Sequence, residues 1–272
     1  AGRLLLWDAA TLAQVRQVVA APPPALPLVC GLDTGAVSFA PAALLQPSAA
    51  PPPPARPCPA PLEHCPCVVA AAPNGHDLSA YDLRCGGLAR TYRAASARGM
   101  AMAVQTTGGL LAAGYEDGSL SFFDAASGAE VEAMRARPLA HPLLALSFSA
   151  DGSAGVAAGA GAEAVAFRMD GGLVAEVDRF PACAGARPGV AAAALRPGGR
   201  EGLLAAACWD RRLRLWHVPR LRKPRARPAC PLAVLRLHTD TVAAVAWAPA
   251  APHLLASASA DGRVALWSLY ND

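Results

Sequence analysis

The chain has 272 residues and a formal charge of +4, and its apolar fraction of 54% rests largely on alanine, diluted by 26 Pro and 24 Gly. No run of about 18 apolar residues escapes Pro, Gly or a charge, and no basic-then-apolar leader opens the sequence, so neither a spanning helix nor secretion is expected. The eight cysteines follow no repeating spacing, which excludes a small disulfide framework and predicts a reducing compartment, the cytoplasm or nucleus.

Strands that close on an aromatic residue recur along the chain. GRLLLWD ends at Trp7 and HDLSAYD at Tyr81; GSLSFFD, AEAVAFR, RLRLWHV and RVALWSL then end at Phe123, Phe167, Trp216 and Trp267. A second kind of strand precedes them: AVSFAP near Phe39, MAMAVQ around Val104, LLALSFS to Phe148, VAAAALRP to Leu195 and VAAVAWAP to Trp247. Between the two lies a small-residue strand and a turn, as in LLAAGYEDGS, LLAAACWDRR and LLASASADGR. Asp117, Asp210 and Asp261 each stand six residues before the closing aromatic. That constant offset fits a tight hairpin, because Asp and Gly tolerate the turn backbone and the next strand alternates with period two.

The last four aromatic-to-aromatic intervals are 42, 44, 49 and 51 residues, close to the roughly 40–45 of a four-stranded propeller blade. The most complete unit, PLAVLRLHTDTVAAVAWAPAAPHLLASASADGRVALWSLY, carries His238, Trp247, Asp261-Gly262 and Trp267. It resembles a WD repeat. The predicted fold class is therefore all-β, a WD-repeat β-propeller. Residues 1–8 are read as the outer strand of an incomplete blade and 9–27 as a linker. Blades follow at 28–97, 98–137, 138–185, 186–231 and 232–272. The first of them contains a Pro-rich insertion at 41–66, expected to be a surface loop, since Pro cannot join a ladder. The fourth carries a basic loop at 219–228. A ring must meet itself, so the count predicts a seven-bladed propeller lacking its first blade and part of the second, roughly 70 residues. A six-bladed ring closed by shared strands is the alternative.

From about Met100 to Tyr270 the segments LLAAGYEDGSLSFFD, RPGGREGLLAAACWDRRLRLWHV and the terminal LWSLY resemble the G-protein β-subunit-like protein 1 family, whose fungal relatives are ASTRA-associated protein 1. The Pro-rich insertion and the RLRKPRARP loop depart from its pattern. The resemblance implies a non-enzymatic seven-bladed scaffold of cytoplasm and nucleus. It implies partners in an adaptor assembly that matures phosphatidylinositol-3-kinase-related kinases, or in an ASTRA-type chromatin complex. Two other classes stay open: a substrate receptor of a ubiquitin ligase or a histone-binding propeller, and a G-protein β-like signalling subunit. The last would need an N-terminal helix to pair with a γ subunit.

His238, Ser257 or Ser259, Asp261 and Trp267 could be mistaken for a hydrolytic set. No nucleophile elbow or oxyanion hole accompanies them. In a WD repeat they form a hydrogen-bonded structural chain, as do the marks at Asp210, Trp216, Asp117 and Phe123. His141 is read as a shifted counterpart of His238, while Gly161 stands where the Phe167 unit should have its turn Asp. Cys58, His64, Cys65 and Cys67 lack the paired spacing of a zinc site. No cofactor, metal or small-molecule substrate is expected. Arg220, Arg222, Lys223, Arg225 and Arg227 concentrate the charge of the chain, and the remainder is nearly neutral. With Tyr115 and Trp209, which precede turn aspartates, these five are the expected partner contacts. Nucleic acid is disfavoured because no aromatic interleaves the charges.

Overall fold

The computed structural model describes residues 3–7, 28–33, 43–45, 67–82, 87–95, 98–198, 202–218 and 230–269. Six antiparallel sheets follow one another along the chain. The first pairs β1 (Arg3–Trp7) with β2 (Leu28–Asp33). The second orders β3 (Ala43–Leu45), β4 (Cys67–Ala71), β5 (Leu78–Asp82) and β6 (Leu88–Tyr92). The third holds β7 (Ala101–Thr107), β8 (Leu110–Tyr115) and β9 (Leu120–Asp124). Isolated bridges from Leu120 to Ala136 and from Phe123 to Glu130 stand in for an outer strand there.

The fourth sheet runs β10 (Leu143–Phe148), β11 (Ala154–Gly159), β12 (Glu163–Asp170) and β13 (Leu173–Pro181). The fifth runs β14 (Val190–Leu195), β15 (Gly202–Cys208), β16 (Leu213–Val218) and β17 (Ala233–Leu235). The sixth has β18 (Val242–Ala248), β19 (Ala251–Ser259) and β20 (Val264–Ser268).

Period-two alternation sends successive side chains to opposite faces, and here both faces are apolar. Leu213 and Leu215 of β16 pack against Val242, Trp247 and Leu255 of the sixth sheet. Trp216 and Val218, one step out of phase, pack against Val156, Ala166 and Phe180 of the fourth. Two further cores join the second sheet to the third and the third to the fourth. The leading strands β3, β7, β10, β14 and β18 neighbour one another in turn. Close approach depends locally on glycine: a Cβ added to Gly114 in β8 would lie 2.3 Å from Leu143 of the next sheet. The far face of the sixth sheet is bare. Val264 and Leu266 are 74% and 75% exposed, where their counterparts Leu213 and Leu215 are fully buried.

Three boundaries read from the sequence need correction. Leu28–Asp33 was placed at the head of the 28–97 blade, yet it pairs with Arg3–Trp7 of the sheet before. Ala233–Leu235 was placed in the 232–272 blade and instead pairs with β16 of the fifth sheet. In both cases the sequence unit straddles two sheets, giving its leading segment to its predecessor. The 41–66 insertion also contains a strand, β3, which pairs Ala43 with Val69 and Leu45 with Cys67. Phe39 and the remainder of the insertion lie outside the described residues.

Candidate functional site: the polar sets beneath the hairpin turns

The β19–β20 turn anchors the best-formed polar set. Asp261 accepts the backbone N–H groups of Thr239 and Arg263, each at 2.9 Å. The Thr239 N–H is the main influence holding its carboxyl at about 2; slight burial opposes it, and Arg263 N–H and the His238 ring add to it. The ionised carboxylate can only accept, so the Nδ1–H of His238 donates to it at 3.2 Å. Nε2 of the same ring is hydrogen-bonded to the Ser257 hydroxyl at 2.9 Å. The Ser257 oxygen in turn accepts the Trp267 indole N–H at 2.9 Å. Of the two serines left open by the sequence, Ser257 is the member of this set. Ser259 donates to the Asp240 carbonyl instead, at 3.0 Å. His238 and Ser257 are buried, and the side-chain polar atoms of both have partners within this set. Such a set fixes core geometry and offers no free nucleophile.

The other sheets carry altered versions. In the fifth, Ala206 holds the place of Ser257, and the buried Trp216 indole N–H finds no acceptor. Asp210 turns to Arg214, which grips both carboxylate oxygens at 2.9 and 2.5 Å. In the fourth, His141 lies over Gly161, where an added Cβ would come within 2.3 Å of the imidazole. In the third, Asp117 caps its own turn through Ser119, and the polar cluster shifts to Glu130. Burial would raise the Glu130 carboxyl, but hydrogen bonds from Arg135 and the Ala95 N–H, with Ser121 and the Arg98 charge, hold it at about 2. Arg98 reaches Glu130 at 3.1 Å, donates to the Ser121 hydroxyl, and stacks 5.8 Å from the Tyr115 ring centroid.

Tyr115 was expected at the surface, and this is corrected: its side chain is fully buried beneath Arg98. It follows the inward face of β8 and leaves no area for a partner. Trp209 is 36% exposed and lies against Gly189, where a Cβ would come within 2.3 Å of the indole. Phe123 and Trp216 are buried core residues. Arg220, Arg222, Lys223, Arg225 and Arg227 lie outside the described residues, as do Cys58, His64 and Cys65. Cys67 is buried in β4.

One group with metal-ligand chemistry does come together. The thiols of Cys183 and Cys208 and a carboxylate oxygen of Asp210 lie within 4.8 Å of one another. Arg214 occupies both Asp210 oxygens and places its own positive charge where an ion would sit, so this donor set does not suit a cation. Buried beside Cys183, the Cys208 thiol is held in its protonated form.

The sequence missed Arg98, Glu130, Arg135 and Arg214. Arg214 had a signal: in LRLW it shares the face of Trp216, so it had to be buried, and a buried Arg needs a carboxylate such as Asp210 four residues earlier. Glu130 had none, because Arg98 lies 32 positions away and only the tertiary fold joins them.

A model of the WD domain, G-beta repeat, matches residues 229–268, the segment that supplies His238, Ser257, Asp261 and Trp267. The chain carries a WD40 repeat. It is 33% identical over 161 residues to the guanine nucleotide-binding protein subunit beta-like protein 1 of Mus musculus, covering 59% of this chain and 44% of that protein. It is 40% identical over 70 residues to the WD repeat-containing protein 26 homolog of Drosophila melanogaster, covering 26% and 10%. It is 39% identical over 67 residues to the ribosome biogenesis protein WDR12 homolog of Chlamydomonas reinhardtii, covering 25% and 14%. The chain thus spans less than half the length of each of these relatives. WD40 repeats are usually non-catalytic and serve protein partners. Among the described residues no helix is long and apolar enough to cross a membrane.

Proposed function

We propose that the chain is part of a WD-repeat propeller acting as a non-enzymatic scaffold for protein–protein interaction in cytoplasm and nucleus. The observation that carries this reading is the use made of the sheets. From the second to the sixth, successive sheets bury their faces against each other, and the His238–Ser257–Asp261 set is satisfied internally. What remains free to vary is the rim of turns and loops, where a rigid ring carries recognition. The bare Val264 and Leu266 support ring closure, since a further sheet on that face would complete the pattern set by Leu213 and Leu215.

Resemblance to the G-protein β-subunit-like protein 1 family favours one role among scaffolds: assembly of phosphatidylinositol-3-kinase-related kinases through a chaperone adaptor, or of an ASTRA-type complex. Affinity purification of the tagged protein tests it. Recovery of the large kinases with their adaptors is expected. A ligase adaptor or histone tail would favour a substrate receptor, and a γ-type subunit would favour the signalling reading. Either result would displace the assembly role.

A further inference from the structure

The β15–β16 turn departs from its siblings in a way that costs conformational energy. The third and sixth sheets turn through Asp117-Gly118 and Asp261-Gly262, with φ of 82° and 78° at the glycines. The fifth turns through Asp210-Arg211, and Arg211 takes φ 72°, alone among the described non-glycine residues in the left-handed region. An Arg there is strained by its Cβ, and strain of this kind tends to persist where the side chain has a task.

Arg211 lines a recess of about 200 Å³ with Asp210, Arg212, Arg236 and His238. The recess sits at the seam between the fifth and sixth sheets, beneath the β15–β16 turn and the segment linking β17 to β18. The acidic member cannot neutralise it, since both Asp210 oxygens are held by Arg214. His238 is equally committed, to Asp261 and Ser257. Arg211, Arg212 and Arg236 have no carboxylate in salt-bridge range among the described residues. Three arginines with no carboxylate partner among the described residues therefore line one opening.

We propose that this recess receives a phosphorylated side chain of a protein partner, which rests on the scaffold reading above and deepens it. A carboxylate is satisfied by one fork, whereas a phosphate presents up to two charges and three acceptor oxygens, matching three forks. Exposed apolar side chains flank the charges in the chain, with Trp209 beside Asp210 and Leu237 beside Arg236, and these suit residues on either side of a phosphorylated one. A nucleic-acid backbone would ask for a track of charge, whereas Arg211, Arg212 and Arg236 line one recess.

The test is fluorescence anisotropy on the full chain with a degenerate peptide pool carrying one central phosphoserine. Matched serine and glutamate pools, inorganic phosphate and random-sequence RNA serve as competitors. The phosphoserine pool should bind about tenfold or more tighter than the glutamate pool, and phosphate should compete. Arg211→Gly and Arg236→Ala should each weaken it by about tenfold. Arg211→Gly installs the residue that the sibling turns use, so its melting curve should be at or above that of the unmodified protein. Equal binding of the glutamate pool, undiminished binding by both variants, or stronger competition by RNA would overturn the proposal. The scaffold reading fails separately. If tagged protein recovers its complexes equally with and without the two substitutions, the scaffold stands and the recess falls. If phosphopeptide binds but no complex is recovered, the converse holds.

Discussion

Ser257 accepts the Trp267 indole N–H at 2.9 Å, while Ala206, at the same place one sheet earlier, leaves the Trp216 indole N–H without an acceptor. The two sheets thus contain both arms of an exchange experiment. Ser257→Ala strips a partner from His238 and from Trp267 and should cost about 1–3 kcal/mol. Ala206→Ser supplies the missing acceptor and should gain about 1 kcal/mol. Denaturant titration checks both. Equal effects of either sign would contradict the equivalence of the two positions.

Relief of the Arg211 backbone should be visible without any ligand. Replacing Arg211 by Gly removes a left-handed non-glycine residue and should raise stability by about 1 kcal/mol. Arg211→Ala keeps the Cβ and should show no such gain. Thermal melts of the two side by side separate backbone strain from charge.

Arg214 and Asp210 form a bidentate pair whose Arg side chain is only 6% exposed. Removing either partner should cost about 3 kcal/mol, because the survivor is left charged in the interior. The double replacement Asp210→Asn with Arg214→Met should cost less than the sum of the single changes, and a double-mutant cycle measures the difference. Strict additivity would mean that the pair does not stabilise the fifth sheet.

Acid should weaken the fold over a defined window. Asp261, Glu130 and Asp151 all sit at about 2 in the folded protein, against about 4 in an unfolded chain. Depressed carboxyls stabilise fully above the unfolded value, and their contribution is lost as pH falls from about 4 towards 2. Melting temperatures between pH 5 and 2 should drop through that interval. Glu130→Gln should start lower and decline less steeply, since one of the linked protons is gone.

Much of this molecule was readable because period-two alternation and fixed turns leave marks in sequence. The six-residue spacing from Asp117, Asp210 and Asp261 to the closing aromatics corresponds to β8–β9, β15–β16 and β19–β20 as found. Strands β10, β14 and β18 run where Phe148, Leu195 and Trp247 placed them. The outer strands were harder. Ala43–Leu45 and Ala233–Leu235 are three residues each, too short for a period to declare itself, and their pairing is set by the neighbour they meet. Tyr115 was misjudged because an aromatic beside a polar turn resembles surface, although the pleat of β8 carries it inward. The recess at Arg211 was invisible for another reason: Arg236 reaches it across 25 positions, and an Arg in a turn gives no sign that its backbone is strained.

The handover of Ala233–Leu235 to the fifth sheet has a mechanical consequence. At this seam the last sequence unit and the fifth sheet are lapped like planks, not butted end to end, so a cut at the start of that unit is not clean. A protease nick just ahead of Ala233 would leave the last unit holding its neighbour's outer rung. Pulling the terminal unit away would open the β16–β17 ladder of its neighbour. Unfolding that starts at one seam should therefore run on into the next unit before it can stop.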